Sequence, residues 1–293
     1  MHVHRRGTAL AAAAVLALTA ACGDGTDGAA PTTPAPVVSS PAATPDPSPT
    51  TSPSPTSAPQ TSSVYYLVDT RTGFRLAHEP RELAGDDPVR AAVEAMIAGP
   101  DDSDYSSPWD PATEVLGVTR DGGTIVVDLS EEARTASVGS EAAALMVQQL
   151  VYTATEAAGD PDAGVLLTIG GEQDVDLWGV LVWDEPVMRT DPLSVRLLVQ
   201  IDTPAEGATT GSPVTVSGDA AVFEATLLWQ VLDAQGAEVE SGVTTTAEGQ
   251  TFAPYSFDVD LQPDTYTVVI SESDPSDGEG GAVMTDSRTV TVD

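Results

Sequence analysis

Apolar and polar positions follow two different rhythms along this chain, and the change near Ser194 divides it. Val64-Tyr65-Tyr66-Leu67-Val68 is a short β-type run, followed after Thr72-Gly73 by a second, Phe74 to Leu83. Asp87 then offers an N-cap with Pro88 at the first helical position. Val89, Ala92, Val93, Met96 and Ile97 fall on one helical stripe, which Gly99-Pro100 ends. Two strands come next, Glu114 to Thr119 and Thr124 to Leu129, joined by a hairpin turn at Arg120-Asp121-Gly122-Gly123. Ser140 is read as the cap of a longer helix carrying Ala143, Met146, Val147, Leu150, Ala154 and Ala158 on one face. A last strand runs from Val165 to Ile169. The order β-β-α-β-β-α-β predicts an α+β domain over residues 64–190, with helices on one face of a mostly antiparallel sheet.

From Ser194 the helical period vanishes. Short alternating segments recur at Arg196 to Ile201, Val214 to Ser217, Ala225 to Val231, Phe257 to Leu261, Tyr266 to Ile270 and Thr289 to Val292. Turn signals such as Gly218-Asp219 and Gln262-Pro263-Asp264 separate them. The pattern predicts an all-β sandwich of immunoglobulin type over residues 195–293. Phe223, Leu228, Trp229, Phe257 and Tyr266 are its expected core, and the boundary is expected around Thr190-Asp191-Pro192. Each domain is expected to be soluble on its own, with proteolysis cutting first before Ser63.

The chain before Val64 has a different character. Arg5 and Arg6 precede an apolar stretch, Ala9 to Leu18, which ends in the small residues Thr19-Ala20-Ala21 before Cys22. Basic, apolar and small-residue regions in that order predict a secretory signal peptide over residues 1–21. The apolar stretch is shorter than the roughly 20 residues a permanent span needs. A cysteine at the cleavage point resembles the lipobox of bacterial lipoproteins, which implies acylation of Cys22 and attachment to membrane lipid. The family usually has Leu three residues before the cysteine; here Thr19 holds that place and Leu18 precedes it. The alternative is ordinary secretion with a free thiol. Residues 22–63 are dominated by Pro, Thr, Ser and Ala, a composition that predicts a disordered, polyproline-stiffened tether.

Charge narrows the partners. All 11 basic residues are arginine, against 45 acids, for a net charge of −34. Loss of Arg5 and Arg6 with the leader would bring the charge from −34 to −36. Such a chain is repelled by nucleic acid and by anionic lipid, so neither is an expected partner, and membrane attachment has to come from acyl chains. Lysine-free, Ala- and Arg-rich usage points to GC-rich coding, as in actinobacteria. Cys22 is the single cysteine, so no intramolecular disulfide can form.

At this point a known family comes into view. The first domain resembles the GerMN domain, named for the spore-germination lipoprotein of bacilli. The matching pieces are Val64-Tyr65-Tyr66-Leu67, Arg81 in the second strand, Glu94-Ala95-Met96-Ile97-Ala98-Gly99-Pro100, Val127-Asp128-Leu129-Ser130, Gln148-Gln149-Leu150-Val151-Tyr152-Thr153 and Leu167-Thr168-Ile169-Gly170-Gly171. The second domain is similar to the immunoglobulin-like domain that accompanies GerMN in bacterial lipoproteins. That match rests on Val216-Ser217-Gly218-Asp219-Ala220, Phe223-Glu224-Ala225-Thr226, Leu232-Asp233 with Gly236, and Asp277-Gly278. The resemblance implies a non-enzymatic cell-surface protein on the extracytoplasmic face of the membrane. Its first domain would be akin to ring-building modules, which leaves oligomerisation through that domain open.

A search for chemistry agrees with that implication. His78, the one histidine after the leader, has no Ser or Cys nucleophile pattern beside it and is expected to be a surface or half-buried strand residue. Soft metal ligands are missing, no glycine-rich phosphate loop precedes a helix, and no cofactor is expected. The acidic clusters Asp101-Asp102-Ser103-Asp104 and Asp274 to Glu279 lack the alternation of an EF-hand loop and read as solvated turns. Trp109, Trp178, Trp183 and Trp229 read as core or domain-packing residues. No catalytic residue is assigned, and Cys22 is the one modified site. Three functional classes stay open: a binding or scaffold lipoprotein with an unnamed envelope partner, a solute-binding lipoprotein of a transporter, and a wall-modifying hydrolase. A deep polar cleft would favour the latter two.

Overall fold

A computed structural model of the chain describes residues 60–70, 72–173, 175–273 and 283–293. Cys22, the leader, residues 22–59 of the expected tether and the acidic run from Asp274 to Glu279 lie outside the described residues, while residues 60–63, expected in the tether, are paired as strand.

Strands β1 (Gln60–Thr70) and β2 (Gly73–Leu83) form an antiparallel hairpin paired from Gln60↔Leu83 to Thr70↔Gly73. β1 therefore starts at Gln60, ahead of Val64. Asp87 caps α1 (Pro88–Ala98), its carboxylate accepting from the amides of Val89 and Arg90, and the expected stripe is the buried face. Gly99 ends the helix at φ +100, a backbone state closed to most side chains. The short β3 (Tyr105–Ser106) adds to β1, giving the sheet order β2-β1-β3.

Strands β4 (Val115–Asp121) and β5 (Thr124–Leu129) meet through Gly122 and Gly123, both at positive φ as a two-residue hairpin turn requires. α2 (Ser140–Ala158) then crosses over to β6 (Gly164–Ile169), which lies parallel to β5. The single sheet expected from the sequence is thus two three-stranded sheets, the second holding a parallel pair. A parallel neighbour needs a crossover long enough to hold a helix, and α2 supplies it. Ser140 proves to be the first helical residue; Gly139 occupies the cap position without a side-chain bond. α1 and α2 pack on each other and on β1. A hairpin that the sequence did not suggest, β7 (Val175–Leu177) and β8 (Leu181–Trp183), follows, and the short α3 (Pro192–Val195) starts at a capping Asp191.

The second half is a sandwich. β9 (Val199–Thr203), β11 (Val214–Ala220) and β14 (Ala253–Val259) make one sheet, ordered β14-β11-β9. β10 (Ala208–Thr210), β12 (Thr226–Asp233), β13 (Glu238–Thr245), β15 (Asp264–Glu272) and β16 (Thr285–Val292) make the other, ordered β10-β16-β15-β12-β13. Two expected core residues are on the outside: Phe223 and Leu228 are exposed. The buried face of β12 is carried by Leu227 and Val231, which meet Ile201, Val216, Val268, Ile270 and Val290 in the core. Trp229 and Phe257 are half-buried and stack on each other at 4.9 Å. Tyr266 is buried, as expected.

Candidate functional site

His78 leads to the first cluster of interior chemistry. It is not a surface residue: β2 carries it into the junction between the two domains, where it is buried. Its Nε2 lies 2.8 Å from Asp202 Oδ1 on β9, and its Nδ1 lies 3.3 Å from the Arg196 guanidinium. A guanidinium can only donate, so Nδ1 accepts and Nε2 carries the hydrogen given to Asp202. Both ring nitrogens are engaged, and neither is directed at a nucleophile. Arg196 in turn holds Asp219 through contacts of 2.9 Å and stacks on Phe252 at 3.9 Å. The chain leaving α3 also runs beside β2, with Leu197 N donating to Leu76 O.

A second cluster bolts the domains together further along. Asp102 belongs to the first domain, Asp286 and Arg288 to β16 of the second. Arg288 reaches Asp102 Oδ2 at 2.6 Å and Asp286 Oδ1 at 3.0 Å. It also donates to the Tyr105 hydroxyl and to Ile201 O. The Tyr105 hydroxyl donates to Asp286 Oδ1 at 2.6 Å, and Ile201 N donates to Asp286 Oδ2. All four side chains are buried. The loop presenting Asp102 is itself held by Glu79, which accepts from the amides of Asp101 and Asp102. The solvated-turn reading therefore fails for Asp102, whose carboxylate is almost wholly removed from water.

The electrostatics follow from that burial. Desolvation pushes the Asp102 carboxyl up to about 6, against the opposing pull of the Asp104 amide and Arg288. Burial likewise raises Asp286 and Tyr105. Burial alone would lower Arg288, but Asp286 and Tyr105 outweigh it and hold the guanidinium firmly charged. Among the described residues, no group of three or more His, Cys, Asp or Glu is arranged to hold a metal ion.

The third feature is a groove of about 560 Å³ on the first domain. Leu145 and Gln148 of α2 form one wall, β8 with Leu181, Val182 and Trp183 another, and Phe74 and Val195 border it. Gln148 fixes the segment between β8 and α3, donating to Met188 O and accepting from Thr190 N at 2.8 Å. Tyr152 adds a hydrogen bond to Thr190 O, and Arg75 one to Ser194 O. Sequence reading missed this groove: β8 is too short to show a period, and Met188 and Leu193 fall where a linker was expected. Of the tryptophans, Trp109 and Trp183 are buried, and Trp109 meets Trp178 edge-on at 5.5 Å.

Two family models match the chain. One, described as sporulation and spore germination, covers residues 63–175. The other, described as an immunoglobulin-like domain of bacterial spore germination, covers residues 198–279. The tandem GerMN domains of the sporulation protein GerM from Bacillus subtilis align at 17% identity and TM-score 0.38, over 48% of this chain and 50% of that one. The first GerMN domain of that protein aligns at 21% identity and TM-score 0.31, over 40% of this chain and 85% of that one. A putative lipoprotein from Clostridium perfringens aligns at 15% identity and TM-score 0.31, over 44% of this chain and 87% of that one. No curated protein matches the chain. The chain spans about half the length of the GerM tandem. It carries a GerMN domain followed by a spore-germination-type immunoglobulin-like domain.

Proposed function

We propose that this GerMN and immunoglobulin-like pair is a non-enzymatic scaffold, anchored by acylated Cys22 to the extracytoplasmic face of the cell membrane and acting by contact with an envelope protein. The observation that carries the reading is the use made of interior polar chemistry. Buried ionisable groups are costly unless paired, and in an enzyme they gather where substrate binds. Here His78, Arg196, Asp219, Asp102, Tyr105, Asp286 and Arg288 are spent on each other across the domain junction. A body braced in that way is suited to presenting a surface in a fixed orientation. The Pro-rich tether would raise the local concentration of that surface near other envelope proteins, so that a weak interface suffices.

Two measurements test this. Cys22→Ala should release the protein to the medium or leave it as an uncleaved precursor; membrane-bound, correctly processed variant would overturn the anchoring. In-cell crosslinking from surface positions of the GerMN domain should capture one envelope protein reproducibly. Hydrolase activity that disappears in His78→Ala would overturn the non-enzymatic part.

A further inference from the structure

We infer that the groove between α2 and β8 is a docking site for a segment of another protein in which a short apolar run is flanked by lysine or arginine. This deepens the scaffold reading and rests on it.

The floor and lips of the groove are apolar. Val182 is 57% exposed and Phe74 37%, and both line it. Val180, Met188 and Leu193, also exposed, adjoin lining residues in sequence. Large apolar side chains gathered around one concavity mark an interaction surface, whereas scattered ones do not. The groove is also preformed, since Gln148, Tyr152 and Arg75 already hold the wall from Met188 to Ser194. Little ordering is left for binding to pay for.

Charge selects the occupant. Glu141 lines the groove; Asp184 and Glu185 lie between the lining residues Trp183 and Val187; Asp191 lies between Thr190 and Ser194. All four are exposed, and none has an ion-pair partner among the described residues. Among the described residues, the nearby cations Arg75 and Arg189 are committed: Arg75 to the carbonyls of Leu193 and Ser194, and Arg189 to Glu156 and Thr155. An apolar floor with an acidic rim calls for apolar side chains next to positive ones.

That requirement rejects the other occupants. The chain's own residues 22–63 hold Asp24, Asp27 and Asp46 but no arginine or lysine. A second copy has 11 arginines against 45 acids and a net charge of −34, so its approach to the acidic rim is repelled. Anionic lipid surfaces are repelled for the same reason. A cationic, apolar protein segment remains.

The test uses residues 22–293 carrying Cys22→Ser, so that no acyl chain competes for the groove. A displayed library of random 12-residue peptides is selected on it, and the enriched peptides are measured by fluorescence anisotropy at low and high salt. Enriched sequences should place Lys or Arg beside a run of apolar residues. Val182→Asp should weaken them by on the order of tenfold or more, as expected for an anchor contact. Since Val182 is 57% exposed, that substitution should leave the fold unchanged by circular dichroism; Leu193→Asp serves as a second variant. Glu141→Gln with Asp184→Asn and Glu185→Gln should remove most of the salt dependence. No enrichment, enrichment of acid-flanked peptides, or unchanged binding to both Asp variants would overturn the inference. So would groove-dependent dimerisation in sedimentation equilibrium, or groove-dependent binding to phosphatidylcholine vesicles. The scaffold reading survives any of these if in-cell crosslinking still captures a partner through another face.

Discussion

The guanidinium of Arg288, near the end of the sandwich, lies 2.6 Å from the carboxylate of Asp102 in the GerMN domain, and both side chains are buried. The pair does not stand alone, because Asp286 and Tyr105 complete a closed ring of donors and acceptors around it. Removing Arg288 or one of the carboxylates leaves buried charged or polar partners unmet, which costs more than the pair itself contributes.

Arg288→Met is accordingly expected to destabilise the protein by about 3–5 kcal/mol, the usual cost of stranding a buried charge. Urea denaturation followed by tryptophan fluorescence measures it. A loss under about 1 kcal/mol would mean that the junction holds little of the fold's stability.

Separated domains should suffer in the same way. Cutting between residues 190 and 195 exposes Asp102 and Tyr105 on one piece and Asp286 and Arg288 on the other. Each piece is expected to unfold at lower urea than the whole chain, and the GerMN piece should lose the protection of its amides at Asp101 and Asp102 in hydrogen exchange. Equal midpoints for pieces and whole chain would mean that the junction adds nothing to the stability of either domain.

Asp102 also sets a pH dependence. Its carboxyl is raised from 3.8 to about 6, so between those values the folded chain keeps a proton that the unfolded chain has released. Stability from this group therefore falls as pH rises across that window and is level above it. Asp102→Asn mimics the protonated form while still able to accept from Arg288. Its stability relative to wild type should rise between pH 4 and pH 6, a window set by the shift from 3.8 to about 6. A gap that stays constant with pH would show that Asp102 titrates normally.

His78→Ala should act on stability alone. It takes an acceptor from the buried Arg196 guanidinium, leaves the half-buried Asp202 carboxylate to water, and opens space beside Tyr65, whose ring lies 5.3 Å from the imidazole. The expected cost is about 1–3 kcal/mol, that of leaving buried hydrogen-bonding groups unmet. Thermal unfolding measures it, and partner capture should be retained by whatever fraction stays folded.

Gly218→Ala tests a close approach inside the sandwich. A Cβ on Gly218 would lie 1.9 Å from the carbonyl oxygen of Gln200 and 2.9 Å from the Tyr255 hydroxyl. Neighbouring backbone cannot yield as a flexible side chain can, so a loss of at least about 1–3 kcal/mol is expected, the range seen for overpacking. A variant as stable as wild type would mean that β9 and β11 separate more easily than their register implies.

Much of this architecture could be read from local signals. Asp87 before Pro88, and the paired glycines after Asp121, act through neighbours in the chain, so sequence exposes them directly. β13 escaped because an edge strand buries so little: Glu238, Glu240 and Gly242 give it no apolar period. The inward face of β12 was misjudged because Leu227 and Leu228 are adjacent and alternation cannot say which faces the core. The junction was out of reach for another reason. Asp102 and Arg288 meet only after both domains have folded, and nothing in either local sequence marks them as partners.

The placement of β1 has a mechanical consequence. Under the proposed anchoring, pull enters β1 at Gln60, while the hairpin turns at the other end of the strand, beside Phe74 and the groove. A load applied between tether and groove runs lengthwise along β1, through an antiparallel ladder that pairs it with β2 over its whole length. Force in that direction pulls on all of the rungs together, where force at right angles would open them one at a time. Under the proposed anchoring, β1 would be oriented to withstand tension, as a rope is when spliced along its length.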